Sequence, residues 1–374
     1  MNLGDFMLGL YIHIPFCKAI CSYCDFPKEI ANIDKQNAYL KALIKEMEHY
    51  NLAALTIDTI YIGGGTPSAL NQDQLHFLLS SIKNVIDVTK LQEYTIEANP
   101  NDITLEKAKL FYDFGVNRIS LGVQTFNDYH LRSVNRKHTN NDVYHAINAL
   151  HQAGIANINI DLIFNLPKQK LEDVQRDLET ALTLNITHIS YYSLILEENT
   201  KLYYDVLKKK VVINDEEIEA EMFETIIKTL KSSAFKHYEI SNFAKEGYLS
   251  KHNLIYWRNH DYIGIGAGSH GKYQQQRYFN HRSVKFYIEQ VNAINHGKKE
   301  RYAYEPLRDT FLLGLRLCKG VNIAAIEKEY AIDLFTQYPK LKDYIKQELV
   351  EIVDNHLRLT NKGLLLGNEV FAIF

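Results

Sequence analysis

Residues 11–26 read YIHIPFCKAICSYCDF. Leu10–Phe16 is rich in strand formers, and three of the four cysteines follow at once. They are Cys17, Cys21 and Cys24, spaced C-x3-C-x2-C. A reactive loop at the end of a strand is how parallel β/α folds build a site. Cysteines this dense outside a secreted disulfide framework point to metal binding or catalysis. A single zinc ion would want a fourth ligand, and position 26, where a nearby cysteine could supply one, is Phe26. Three thiolates on one short loop suit a cubane iron–sulfur cluster with one iron left open to a cofactor or substrate. A structural zinc site and a set of unrelated small core residues are the competing readings of the same string.

Outward from this loop the sequence repeats one rhythm. Strand-like runs at Leu10–Phe16, Thr59–Ile62, Tyr94–Ala98, Arg118–Val123, Ile158–Phe164 and His188–Leu194 are rich in Val, Ile, Tyr and Thr. Amphipathic helical patterns lie between them, at Asp34–Tyr50, Gln72–Asn84, Thr104–Phe114, Asn141–Ala153 and Leu171–Leu184. Gly115 and Gly154 stand just past two of the helix ends. Strand and helix alternating this regularly predict parallel β/α units, six of them, short of the eight in a closed barrel. The fold class expected is therefore α/β, a partial (β/α)6 barrel.

The rhythm breaks near residue 195. Residues 214–231 predict one more helix, acidic at its start and lysine-rich at its end, which matches the helix dipole. Residues 235–285 are rich in Tyr, His, Asn and Gly and predict irregular structure with short strands. The tail, ending HLRLTNKGLLLGNEVFAIF, predicts a strand and then a helix, as in a small helical domain of winged-helix type. The divisions expected are 1–235 for the partial barrel, 236–295 for an irregular segment completing the site, and 296–374 for the small C-terminal domain.

The chain has 374 residues, 46% hydrophobic and 23% charged, enough apolar side chain for a large core. Its formal net charge is 42 − 45 = −3, so no basic excess argues for nucleic acid. No apolar run reaches the ~18–20 residues of a membrane span, and the first residues lack a signal peptide's basic start and small-residue cleavage site. The expectation is a soluble, cytoplasmic chain. Peripheral membrane contact and the choice between monomer and homodimer are left open.

Several strings, taken in order, resemble a known family. C-x3-C-x2-C after the first strand of a six-unit β/α chain is the signature of the radical S-adenosylmethionine (SAM) superfamily. YIHIPFC, YIGGGTPS, IEANP, RISLGVQTF, NIDLIFNLP and YEISNFA resemble the oxygen-independent coproporphyrinogen III oxidase family within it, over nearly the whole chain. The resemblance implies a radical-SAM barrel, a C-terminal domain of HemN type, and a [4Fe-4S] cluster held by Cys17, Cys21 and Cys24. It implies SAM chelated to the open iron and cleaved by one electron to a 5′-deoxyadenosyl radical. A flavodoxin- or ferredoxin-type donor would supply that electron. The positions implied for SAM are Tyr11, Tyr23, Gly64, Gly65, Thr66, Glu97, Gln124, Arg136 and Asp161, all expected at the C-terminal ends of the strands, where β/α barrels place their sites.

The true oxidases of that family carry a further cysteine two past the third and an N-terminal extension. Here that position is Phe26, and sixteen residues precede Cys17. Both departures match the HemW-type haem chaperone branch rather than porphyrinogen decarboxylation. Residues 252–257 read HNLIYW, the H-N-x-x-Y-W motif of that branch, and include the chain's only Trp. The resemblance implies haem as cargo and apo-haemoproteins as acceptors, with His252 as iron ligand and Asn253, Tyr256 and Trp257 beside it. No catalytic residue is assigned. The G-x-G-x-x-G match at 266–271 lacks the helix a dinucleotide site needs and predicts a plain glycine-rich loop. Cys318, His13 and His188 are expected to be structural.

Overall fold

The computed structural model describes residues 7–294, 296 and 299–374. Residues 1–6, part of the stretch expected to lack a signal peptide, lie outside them, as does residue 295 at an expected boundary. The six expected strands form as β1 (Gly9–Ile14), β2 (Thr59–Gly64), β3 (Glu93–Ala98), β4 (Arg118–Gln124), β5 (Asn157–Phe164) and β6 (His188–Ser193). They are parallel and adjacent in chain order. Helices at Ile33–His49, Gln72–Val85, Leu105–Asp113, Asn140–Gln152 and Leu171–Thr183 make the crossovers. Local chemistry sets their starts. Asn71 and Gln74 form a capping box, and the Thr104 hydroxyl accepts from Lys107 N.

The strands alternate. Leu10, Ile12 and Ile14 of β1, Ile60 and Ile62 of β2, and Ile160 and Leu162 of β5 are all fully buried in the main core beneath the helices. Each such side chain contributes roughly 1.5–3 kcal/mol on burial. Their neighbours Tyr11, His13, Tyr61, Glu97 and Asp161 point the other way, into the concave side of the sheet.

The sheet extends well beyond the six expected strands. The hairpin β7 (Lys236–Glu239) and β8 (Asn242–Ala244) adds antiparallel to β6. At the opposite edge β9 (Tyr262–Ile265) pairs parallel with β1, and β10 (His270–Tyr273), β11 (Gln276–Asn280) and β12 (Lys299–Tyr302) follow antiparallel. The result is one twelve-stranded sheet in the order β12-β11-β10-β9-β1-β2-β3-β4-β5-β6-β8-β7. Two expectations change. The sheet runs across the boundary at 235/236, because β7 and β8 close onto β6. It also runs across the boundary at 295/296, because β12 pairs with β11. The glycine-rich 266–271 segment is the turn from β9 into β10, with no helix after it.

Beyond Tyr302 a second body has its own core, including Phe311, Leu315, Leu341 and Leu357. Short helices there pack with a three-stranded antiparallel sheet, β13 (Val321–Asn322), β14 (Val350–Val353) and β15 (His356–Leu359), ordered β13-β15-β14. This is the small winged-helix-like domain expected from the tail.

Candidate functional site

The cysteine loop leaves β1 and returns to it. Cys17 N donates to Glu29 O (3.1 Å) and Glu29 N to Pro15 O (2.7 Å), closing the loop at its base. Ser22 N donates to Val134 O (3.1 Å), and Asn135 Nδ2 to Ile20 O (2.7 Å), which fixes the outer turn. All three cysteines are free and half-buried. Thr66 Oγ1 lies 3.5 Å from Cys17 Sγ, and Arg136 Nη1 lies 3.5 Å from Cys21 Sγ. Burial raises the Cys17 and Cys24 thiols above their usual range, so they stay protonated until a metal takes the protons.

Among the described residues no three Cys, His, Asp or Glu side chains converge tightly enough for one metal ion. A lone zinc needs bonds of ~2.0–2.3 Å from every ligand. A cubane attaches its cysteines to separate irons and accepts a wider triangle. Three thiols spread along one loop are the donor set a cubane takes, one to each of three irons.

The concave face opens into a cavity of about 1030 Å³. That is near the upper end of the roughly 300–1,000 Å³ usual for cofactor and ligand sites. Its floor is Tyr11, Tyr61 and Glu97, and Tyr23, Cys24 and Phe26 of the cysteine loop form one wall. Asn253, Tyr256 and Trp257 form another, and His270, Lys272, Arg277, Phe279 and Arg282 of the sheet extension a third. Phe26, at the position of the oxidases' further cysteine, is 65% exposed at this wall.

The positions implied for SAM divide into two groups. Tyr11, Tyr23 and Glu97 face the cavity. Gly64, Gly65, Thr66, Gln124, Arg136 and Asp161 stand behind that surface. A Cβ on Gly64, which has φ +115, would meet the His13 ring at 2.4 Å, and one on Gly65 would meet the Pro15 carbonyl carbon at 2.8 Å. These glycines let the end of β2 lie against the root of the cysteine loop. Glu97 ties the groups together, accepting from Gly64 N (3.0 Å) and Tyr61 OH (2.7 Å). Burial pushes its carboxyl up to about 7. Asp161 accepts from Ser120 Oγ (3.0 Å), and Arg136 also donates to Gly122 O.

His252 requires a correction. It is fully buried and absent from the cavity wall. Its Nδ1 shares a 2.7 Å hydrogen bond with Thr59 Oγ1, and its Nε2 one of 2.7 Å with Tyr256 OH. Burial lowers its pKa to about 3, so the ring is neutral, and both nitrogens are engaged. It pins the helix Lys251–Trp257 to β2, with each ring nitrogen engaged in a hydrogen bond. The motif's other members, Asn253, Tyr256 and Trp257, do reach the cavity. Glu93 holds the start of the same helix, accepting from Lys251 N (2.8 Å) and His252 N (3.0 Å).

Tyr61, His270, Phe279 and Arg277 were not expected. Tyr61 could have been found from alternation, since T-I-Y-I-G-G places it on the face opposite Ile60 and Ile62. The others lie on strands of four or five residues, too short for a period to show. His13 and His188 are structural, both buried with both nitrogens hydrogen-bonded.

Residues 11–181 match the radical SAM superfamily, and residues 303–366 match the HemN C-terminal domain. The Heme chaperone HemW of Bacillus subtilis is 40% identical over 98% of this chain and 99% of its own length. That of Lactococcus lactis is 39% identical over 97% and 96%. The solved coproporphyrinogen III oxidase HemN of Escherichia coli, a radical SAM enzyme, superposes with a TM-score of 0.83 at 23% identity. It covers 99% of this chain and 90% of its own, a likeness of fold.

Proposed function

Since the chain belongs to the family of HemW heme chaperones, we propose that it binds haem in the cavity beside the cysteine loop and delivers it to apo-haemoproteins. The carrying observation is the cavity itself: large enough for a porphyrin, aromatic on two walls, and bordered by Cys24. Tyr256 packs edge-on to Tyr262 at 4.6 Å, giving flat rings for an apolar macrocycle. Cys17, Cys21 and Cys24 hold a [4Fe-4S] cluster, which supplies an open iron for SAM and one-electron chemistry when reduced. The electron comes from a flavodoxin- or ferredoxin-type donor. Tyr11, Tyr23 and Glu97 meet SAM from the cavity, and Thr66, Gln124, Arg136 and Asp161 are the further positions proposed for it behind that surface, Arg136 for its carboxylate and Gln124 and Asp161 for its ribose. Among the described residues no helix is long and apolar enough to cross a membrane. We place the chain in the cytoplasm.

The testing experiment is titration of purified protein with ferric haem, with and without cluster and SAM. A stoichiometric Soret band supports the reading. Conversion of coproporphyrinogen III to protoporphyrinogen IX with SAM and a reductant would replace it with the oxidase. Phe26, standing where the oxidases have a cysteine, favours no conversion.

Glu97 gives a pH-dependent expectation. Its carboxyl, raised to about 7 by burial, is largely protonated at pH 6 and ionised at pH 8. The SAM amine donates its N–H groups to the carboxylate, so binding below pH 7 must expel a proton from Glu97. Affinity for SAM should rise from pH 6 to pH 8, by at most about tenfold per unit below the pKa. Calorimetric titration at three pH values checks this. Glu97→Gln should flatten the slope, and an equal slope in that variant would remove Glu97 from the site.

A further inference from the structure

We propose that His270, and not His252, is the histidine that ligates the iron of a haem in this cavity, with Arg277 and Arg282 taking the propionates. The inference rests on the haem-binding reading above and adds the ligand to it.

Three histidines line the cavity: His13, His260 and His270. His13 is buried, its nitrogens bonded to Tyr11 OH (2.9 Å) and Pro27 O (2.9 Å). His260 is buried as well. His270 is exposed, and among the described residues nothing hydrogen-bonds its ring nitrogens. Its ring is held by stacking alone, on Phe279 at 5.4 Å with Tyr302 edge-on at 6.3 Å. That leaves an oriented imidazole with a lone pair toward open space. Partial burial and the neighbouring cations Arg282 and Arg277 lower its pKa, so the ring is the neutral form that iron requires.

The strand register completes the site. His270 lies opposite Phe279 and Lys272 opposite Arg277, so all four share one face of the β10–β11 ribbon. Imidazole and cations are two residues apart along the strand, about 7 Å. A haem is amphipathic in the same sense, with iron at its centre and two carboxylates on one edge. Arg277 pairs with Asp309 at 3.2 Å, yet its Nε is buried without a partner. Arg282 stands at the mouth, 3.5 Å from Asp25 and exposed. Lys272 is committed to Asp261 and to Asn259 O. The guanidinium groups are thus the two that can turn to a carboxylate. His252 acts through Tyr256 as a positioning residue.

The test is titration of ferric haem into wild type, His270→Ala, His270→Cys and His252→Gln, read by Soret position, EPR and affinity. His270→Ala should lose the histidine-ligated spectrum and at least tenfold in affinity, and added imidazole should restore the spectrum. His270→Cys should show a thiolate-ligated spectrum, which only a coordinating position can produce. His252→Gln should bind more weakly but keep the wild-type Soret position. Wild-type spectra in both His270 variants, or loss of the histidine signature in His252→Gln alone, would overturn the assignment. No haem binding by folded wild type would instead defeat the haem-binding reading itself.

Discussion

Alanine at any one of Cys17, Cys21 or Cys24 is expected to remove most of the iron and labile sulfide from anaerobically reconstituted protein. On the proposed cluster reading the loop provides one thiol to each of three irons, so the loss of any one leaves an iron without its protein ligand. Thermal stability should change little, because these half-buried side chains carry little of the core. Cys318→Ala is the control. Its thiol is held up at about 12 by burial, and it sits near Glu239, away from the loop. It should keep full iron content. Iron and sulfide assays with the absorbance near 400 nm decide the matter. A full cluster in Cys21→Ala would end the cluster assignment.

The largest loss of stability is expected from Glu93. Burial disfavours the Arg118 cation, and Glu93 supplies the largest compensating charge. Glu93 also receives the first N–H groups of the helix that carries Tyr256 and Trp257. Glu93→Gln takes away the largest of the charges that compensate the buried guanidinium, with Asp161 remaining, and weakens the charge-assisted hydrogen bonds to the helix start, a loss of about 1.5–3 kcal/mol. Replacing both, as Glu93→Gln with Arg118→Met, should recover part of that, because the buried cation is gone while the weakened bonds to the helix start remain. Unfolding midpoints across the four proteins check the coupling. Haem affinity should fall in the single variant, since its aromatic wall loses its anchor. If Glu93→Gln unfolds like wild type, the pair is not what holds that helix.

The legible part of the fold was the part with local signals. Each of β1 to β6 is a six- to eight-residue strand, and each of the first five is followed by a helix that crosses over to the next. The sheet extension was not legible, because β9 finds β1 across some 250 residues of chain and its strands are too short to show a period. At the site, the cysteine spacing and the polar tips of the strands could be read directly. His252 could not. A motif fixes which residues occur together, but which face of a seven-residue helix meets the core depends on Thr59, far away in sequence. His270, the ligand proposed above, is the opposite case. Its strand carries no signal of its own, and its partner Phe279 becomes its neighbour only through the hairpin register.

The root of the cysteine loop has a consequence for assembly order. β1 is bonded on both sides, by β2 and β9, and Leu10, Ile12, Ile14 and Phe16 are all fully buried. The loop closes on itself through backbone bonds that involve no thiol. In small zinc domains the metal is the folding energy, and the metal-free chain is unfolded. Here the base of the loop is closed by backbone bonds and not by thiols, so the chain is expected to fold without the proposed cluster and to receive it afterwards. Chain stripped of its cluster by air should remain folded and take iron and sulfide back without passing through the denatured state.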